Sequence, residues 1–99
     1  MEFEINGRTI NILGVEYKIA VKELTHNNLN MGHIDDMTAT IALNVRLPKS
    51  QMQAVLWHEV VHGVLDAIGE SEMSKNEDFV EKLSRALNTV ADLKLEGGE

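Results

Sequence analysis

Residues 56–63 read Leu-Trp-His-Glu-Val-Val-His-Gly and carry the clearest chemical pattern in the sequence. In a helix, residues four apart lie on one face, so His58 and His62 would direct two imidazoles the same way. Glu59 is rotated by about 100° from His58 and borders that face. The surrounding residues, 54–68, are largely apolar, which indicates a buried helix. Because unpaired buried polar groups are costly, these three side chains need a partner.

A metal ion is a partner that suits all three side chains. The pattern His-Glu-x-x-His occurs in zinc hydrolases, where two imidazoles hold the ion and the carboxylate accepts a proton from the water that the ion activates. It therefore predicts Zn²⁺ as cofactor, His58 and His62 as metal ligands, and Glu59 as the catalytic base. The chain has no cysteine, so any further ligand must be a histidine or a carboxylate. His26 and His33 lie in a polar segment, where most histidines are simply solvated.

Composition limits the classes of function. A chain of 99 residues with one motif predicts a single domain over residues 1–99, with a β-rich part (1–47), two helices (48–95) and a tail (96–99). The net charge is −7, and residues 51–99 hold ten acidic but four basic residues. This balance argues against nucleic-acid and membrane partners. No apolar run would span a bilayer, and residues 1–4 do not resemble a signal peptide, so we expect a cytoplasmic protein.

Alternating apolar and polar residues predict a short antiparallel sheet before the motif. Residues 2–24 contain strands at 2–5, 9–13 and 15–22, and Asn6-Gly7 favours a hairpin turn. A short strand would begin at 34–36. A further β-branched strand at 38–45 lies close before the motif, where it would offer an edge to an extended peptide. The alternative is that this last strand only packs.

Two helices follow the strands, which makes the fold class α+β. The motif helix is predicted from about Ser50, with Pro48 just before it, to Ile68, where Gly69 ends it. Residues 70–75 are polar and predict a loop. The last helix runs from position 75 or 76 to Leu93, and its apolar stripe should pack on the motif helix.

A catalytic zinc usually has three protein ligands, so the chain must supply one more. The first turns of the last helix carry two acidic candidates, Glu77 and Glu81. At 100° per residue, Glu77 lies about 120° from the centre of the apolar stripe and Glu81 about 160° from it, which favours Glu77. Both are alternatively solvated carboxylates near a helix N-terminus. Asp66, one turn after His62, is either a hydrogen-bond acceptor for a ligand histidine or a surface residue.

His58-Glu59-Val60-Val61-His62, followed by Asn76-Glu77, resembles the gluzincin pattern, in which a glutamate on the next helix completes the site. The layout also resembles small metallopeptidase-like proteins of phages and prophages and, more distantly, ImmA/IrrE-type zincins. The resemblance implies a minimal zincin-like fold, with His58, His62 and Glu77 as metal ligands and Glu59 as general base. It departs from large gluzincins in the shorter separation between the second histidine and the glutamate.

The leading hypothesis is a minimal zinc-dependent metallopeptidase that acts on a peptide or protein substrate. His33 or Tyr17 would help to stabilise the oxyanion. The alternative is a catalytically weak or inactive zincin-fold module of phage or prophage origin that binds a protein. A third possibility is a metal-free helical adaptor, in which His58 and His62 are core residues satisfied by the backbone. The sequence does not predict an oligomeric state.

Overall fold

The computed structural model describes residues 5–24 and 31–97, which form an α+β fold with a mixed sheet and three helices. Its elements, in chain order, are β1 (Thr9–Ile12), β2 (Val15–Lys22), β3 (Gly32–Asp35), β4 (Thr40–Asn44), α1 (Lys49–Ala67), α2 (Ser71–Ser74), α3 (Glu77–Val90) and β5 (Leu95–Glu96). The strands are ordered β3-β4-β2-β1-β5 across the sheet. The predicted fold class is confirmed at this level.

The first hairpin forms where the alternating pattern predicts it. β1 and β2 pair antiparallel, with Ile12 opposite Val15. The tight connection uses left-handed backbone at Leu13 and Gly14, and Gly14 donates its N–H to the side chain of Asn11 over 2.8 Å. The turn predicted at residues 6–7 also forms. The strand predicted at 2–5 falls mainly on residues 1–4, outside the described residues.

The prediction of a purely antiparallel sheet is wrong, because β2 and β4 pair in parallel. Residues 41–44 of β4 are buried in succession, so this strand needs cover on both faces and both edges. It therefore lies inside the sheet, between β2 and β3. The predicted edge at 38–45 is corrected accordingly: within the described residues the edge strands are β3, which pairs antiparallel with β4, and β5.

Helix α1 lies between the sheet and α3, which explains its nearly continuous apolar sequence. Met52, Leu56 and Val60 pack with the sheet, whereas Trp57 and Val61 pack with Val80 of α3 and its apolar neighbours. The helix begins one residue before Ser50, which lies within it, and Pro48 occupies the N-cap position. Among the described helices, none combines the length and apolar character needed to cross a membrane.

The C-terminal elements refine three predictions. The polar segment at 70–75 contains a short helix, α2, rather than a loop alone. Asn76 caps α3 by accepting a hydrogen bond from the Phe79 N–H over 3.1 Å, and α3 ends at Val90, before the predicted Leu93. The predicted tail begins one residue too early, because Glu96 belongs to β5 and lies opposite Thr9 of β1.

Candidate metal centre

His58 and His62 face one cleft of about 800 Å³, which β3, α1 and α3 line. Their four-residue spacing on α1 places the ring centroids 5.0 Å apart, with the planes inclined by 67°. The two side chains are 21% and 16% exposed, so both rings are largely covered but remain open to the cleft. The helix therefore presents two adjacent imidazoles to one partly enclosed space, as predicted.

Glu77, the first residue of α3, brings its carboxylate to both imidazoles. One of its oxygens lies 3.2 Å from Nε2 of His58, and the other lies 3.4 Å from Nε2 of His62. One ligand atom from each of the three residues lies within 4.8 Å of the others. Two ligands of a tetrahedral zinc at 2.0–2.1 Å are about 3.3 Å apart, so the measured separations suit this donor set.

The other ring nitrogens have partners of their own. Nδ1 of His58 lies 3.0 Å from a carboxylate oxygen of Glu81, and Nδ1 of His62 lies 3.0 Å from Oγ of Ser74. Ser74 in turn donates to the backbone carbonyl of His62 over 3.5 Å, so its oxygen is available to accept from the ring. Such partners hold a proton on Nδ1 and leave the Nε2 lone pairs for a metal.

These contacts separate the acidic candidates that the sequence left open. Glu77 reaches both Nε2 atoms, whereas Glu81 reaches the far side of His58 and orients that ring. Of the two alternatives for Asp66, the structure favours the surface residue: Asp66 is exposed farther along the cleft, and Ser74 is the partner of Nδ1 of His62. Sequence reasoning missed Ser74 because a serine in a polar segment carries no distinguishing signal.

Glu81 is itself held by a neighbour on α3. Nε of Arg85, one turn later, donates to the second carboxylate oxygen of Glu81 over 3.0 Å. The chain of contacts therefore runs from Arg85 through Glu81 to His58. Because the Arg85 guanidinium holds this carboxylate in place, the Glu81 side chain is well placed to accept a hydrogen bond from Nδ1 of His58.

Glu59 lines the same cleft but is only 7% exposed. Burial raises the pKa of its carboxyl from 4.5 to about 7; His58 opposes this shift, and the negative charge of Glu77 adds to it. A carboxyl with a pKa near neutrality exchanges protons readily at the pH of a cell. Glu59 thus has the environment expected of a general base.

Of the other candidate residues, His33 lies at the cleft and Tyr17 does not. His33 lies on the edge strand β3 and lines the cleft. Tyr17 is a buried core residue outside the residues that line the cleft, so the structure does not bring it to the site. His26 lies outside the described residues. Of the two residues predicted to stabilise an oxyanion, His33 alone is positioned along the cleft.

Comparison with protein-family models, curated proteins and solved structures finds no match to this chain. The resemblance to gluzincins and to phage metallopeptidase-like proteins therefore stays a prediction.

Proposed function

We propose that this protein is a zinc-dependent peptidase, and that His58, His62 and Glu77 hold the ion through two imidazole nitrogens and one carboxylate. The observation that carries the proposal is the convergence of both Nε2 atoms on the Glu77 carboxylate, beside the buried Glu59. Structural zinc sites are usually closed by four protein ligands, whereas three leave a position for water. We further propose that the protein acts in the cytoplasm.

Zinc held by these residues would supply Lewis acidity, making water acidic enough to lose a proton near neutral pH. Glu59 would accept that proton on its carboxylate and deliver it to the amine that leaves the cleaved peptide bond. Burial raises its pKa to about 7 in the metal-free protein, and a bound cation nearby would lower that pKa and favour the carboxylate that accepts the proton. Glu81 and Ser74 would keep the two imidazoles in the orientation that binding requires.

An extended peptide is the substrate that the shape of the cleft favours. Strand β3 is an edge strand of the described sheet and lines the cleft through residues 32–34. An edge strand offers backbone hydrogen bonds to an added strand, independently of its sequence. A peptide paired with β3 would pass in front of the residues proposed to hold zinc. The cleft side chains would then determine which sequences are cleaved.

The direct test is Glu59→Gln, with metal content and cleavage measured on the same samples. We expect one zinc per chain in both proteins, and cleavage of a mixed peptide library by the wild type alone. Glu16→Gln, an exposed change on β2, is the matched control and should keep full cleavage. Cleavage by the Glu59→Gln protein at the wild-type rate would rule out the proposed base.

A second candidate is a module that binds an extended segment without cleaving it. The observation that favours it is the same edge strand beside an open cleft, because strand addition needs no chemistry. Stoichiometric zinc and measurable peptide binding, together with no cleavage of any library member, would select this candidate. Absence of zinc from protein purified without chelators and from zinc-reconstituted samples would reject both candidates.

A further inference from the structure

The cleft carries Arg85, paired with Glu81, toward one end and Asp66 toward the other. Helices α1 and α3 run in opposite directions. His58 contacts Glu77 at the start of α3, whereas Gln53, earlier on α1, donates a hydrogen bond over 3.1 Å to Asn88, near the end of α3. Arg85 therefore lies toward the N-terminal end of α1. Asp66, eight residues after His58, lies about 12 Å away along α1 in the other direction. Among the described residues that line the cleft, Arg85 is the single arginine or lysine.

The guanidinium of Arg85 has capacity for a second carboxylate. Glu81 engages its Nε, and no other partner of this side chain is found within the described residues. The side chain is 77% exposed, so its terminal nitrogens are accessible to a ligand. A guanidinium presents five N–H donors in a planar fork that matches a carboxylate. A second anion can therefore bind without displacing Glu81.

The opposite end of the cleft is acidic. Burial raises the pKa of Tyr17, and the negative charges of Asp36, Asp66 and Asp35 raise it further. Asp66 carries this negative region to the lining of the cleft. A substrate with a carboxylate would be repelled from this end and attracted to Arg85.

The direction of β3 independently predicts the direction of a bound peptide. Gly32, at the start of β3, lies against α1 near Val55, because a Cβ on Gly32 would be 3.1 Å from Val55. Ile34, later on β3, lies against Gly63, later on α1, because a Cβ on Gly63 would be 2.8 Å from Ile34. The residue numbers of the two elements rise together, so β3 and α1 run in the same direction. Antiparallel pairing, the commoner and slightly more stable kind, would place the amino end of the peptide near Asp66 and its carboxyl end near Arg85. Strand direction and charge thus agree on one orientation.

From this agreement we infer that the cleft selects extended peptides that carry a carboxylate shortly after the cleaved bond, and that Arg85 binds it. Arg85 lies eight residues after the proposed ligand Glu77, about 12 Å along α3, a distance that three to four residues of extended chain span. The carboxylate is accordingly expected within about the first four residues after the cleaved bond. It belongs either to an aspartate or glutamate or to the peptide's own C-terminus. This inference rests on the proposed peptidase function.

The test uses matched peptides that differ only in Glu or Gln at each of the first four positions after a bond that the wild type cleaves. Each pair is made with an amidated and with a free C-terminus, which separates a side-chain from a terminal carboxylate. We expect the favoured carboxylate to raise kcat/KM by about tenfold, the effect of one exposed charge-assisted interaction. Arg85→Gln should reduce this ratio to about one, even if weakening Glu81 lowers both rates.

Lys82→Gln is the control variant, because Lys82 lies on the same helix, outside the cleft lining, and pairs with Asp78 at 3.1 Å. It should keep the wild-type ratio. A second measurement is calorimetric binding of uncleaved peptides to zinc-loaded Glu59→Gln protein, with and without Arg85→Gln. Retention of the carboxylate preference by Arg85→Gln in both measurements would overturn the inference.

The outcomes distinguish the two proposals. If wild type cleaves Glu and Gln peptides equally, the peptidase function stands and the role of Arg85 is wrong. If no peptide is cleaved but carboxylate peptides bind tighter in an Arg85-dependent way, the selectivity stands and hydrolysis is wrong. If peptides neither bind nor are cleaved, the inference is overturned together with the function on which it rests.

Discussion

Glu59→Gln should make the metal-free protein more stable at neutral and alkaline pH. The folded protein holds this carboxyl at a pKa of about 7, compared with 4.5 for the exposed group. Its protonated form is therefore favoured by folding. The resulting stabilisation is fully present below pH 4.5 and is lost as the pH rises through 7, because the buried group must then ionise. Glutamine resembles the protonated carboxyl and does not titrate.

The magnitude follows from the two pKa values. The difference between 4.5 and about 7 corresponds to about 3 kcal/mol of unfolding free energy, at about 1.4 kcal/mol for each pH unit. We expect the variant and the wild type to differ little below pH 4.5. The advantage of the variant should then grow to about 3 kcal/mol above pH 7. Groups that titrate identically in both proteins cancel from this comparison.

The assay is urea unfolding at several pH values in the presence of a chelator. Trp57, the one tryptophan, is 8% exposed and should report unfolding through its fluorescence. Glu16→Gln, an exposed change away from the cleft, should follow the wild type within about 0.5 kcal/mol. Saturating zinc should shrink the advantage of Glu59→Gln, because a nearby cation favours the ionised carboxylate. A difference that stays constant with pH would refute the reasoning.

Two further predictions concern residues that support the site. Glu81→Gln should weaken zinc binding by about 10- to 100-fold in a competition assay with a chelating dye, because the amide is a poorer acceptor for Nδ1 of His58; unchanged affinity would mean that this contact does not orient the ring. Asn76→Ala should lower the unfolding free energy by about 1 kcal/mol and also weaken zinc binding, because it removes the cap beside Glu77, whereas Asn76→Asp should keep both. Denaturant midpoints and zinc titrations measure both quantities for Asn76→Ala and Asn76→Asp. Equal losses of stability and zinc affinity in these two variants would contradict the capping role of Asn76.

The sequence predicted those features that depend on local periodicity. The four-residue spacing of His58 and His62 places both on one face of any helix, and the apolar residues around them predict that this helix is buried. Strands β1 and β2 followed from alternation: β2 has its predicted bounds, and β1 ends one residue earlier than predicted. The preference for Glu77 over Glu81 came from helical angle, and it agrees with the distances to the imidazoles.

Only the tertiary structure decided which distant segments meet. Parallel pairing of β2 with β4, and the consequent place of β3 at the edge, depend on contacts between residues far apart in the chain. The role of Ser74 depends on how α2 packs against α1. Periodicity specifies which face of an element is buried, but not which other element buries it, because many partners satisfy the same apolar surface. The sequence therefore determined the donor pair on α1, whereas packing decided what surrounds it.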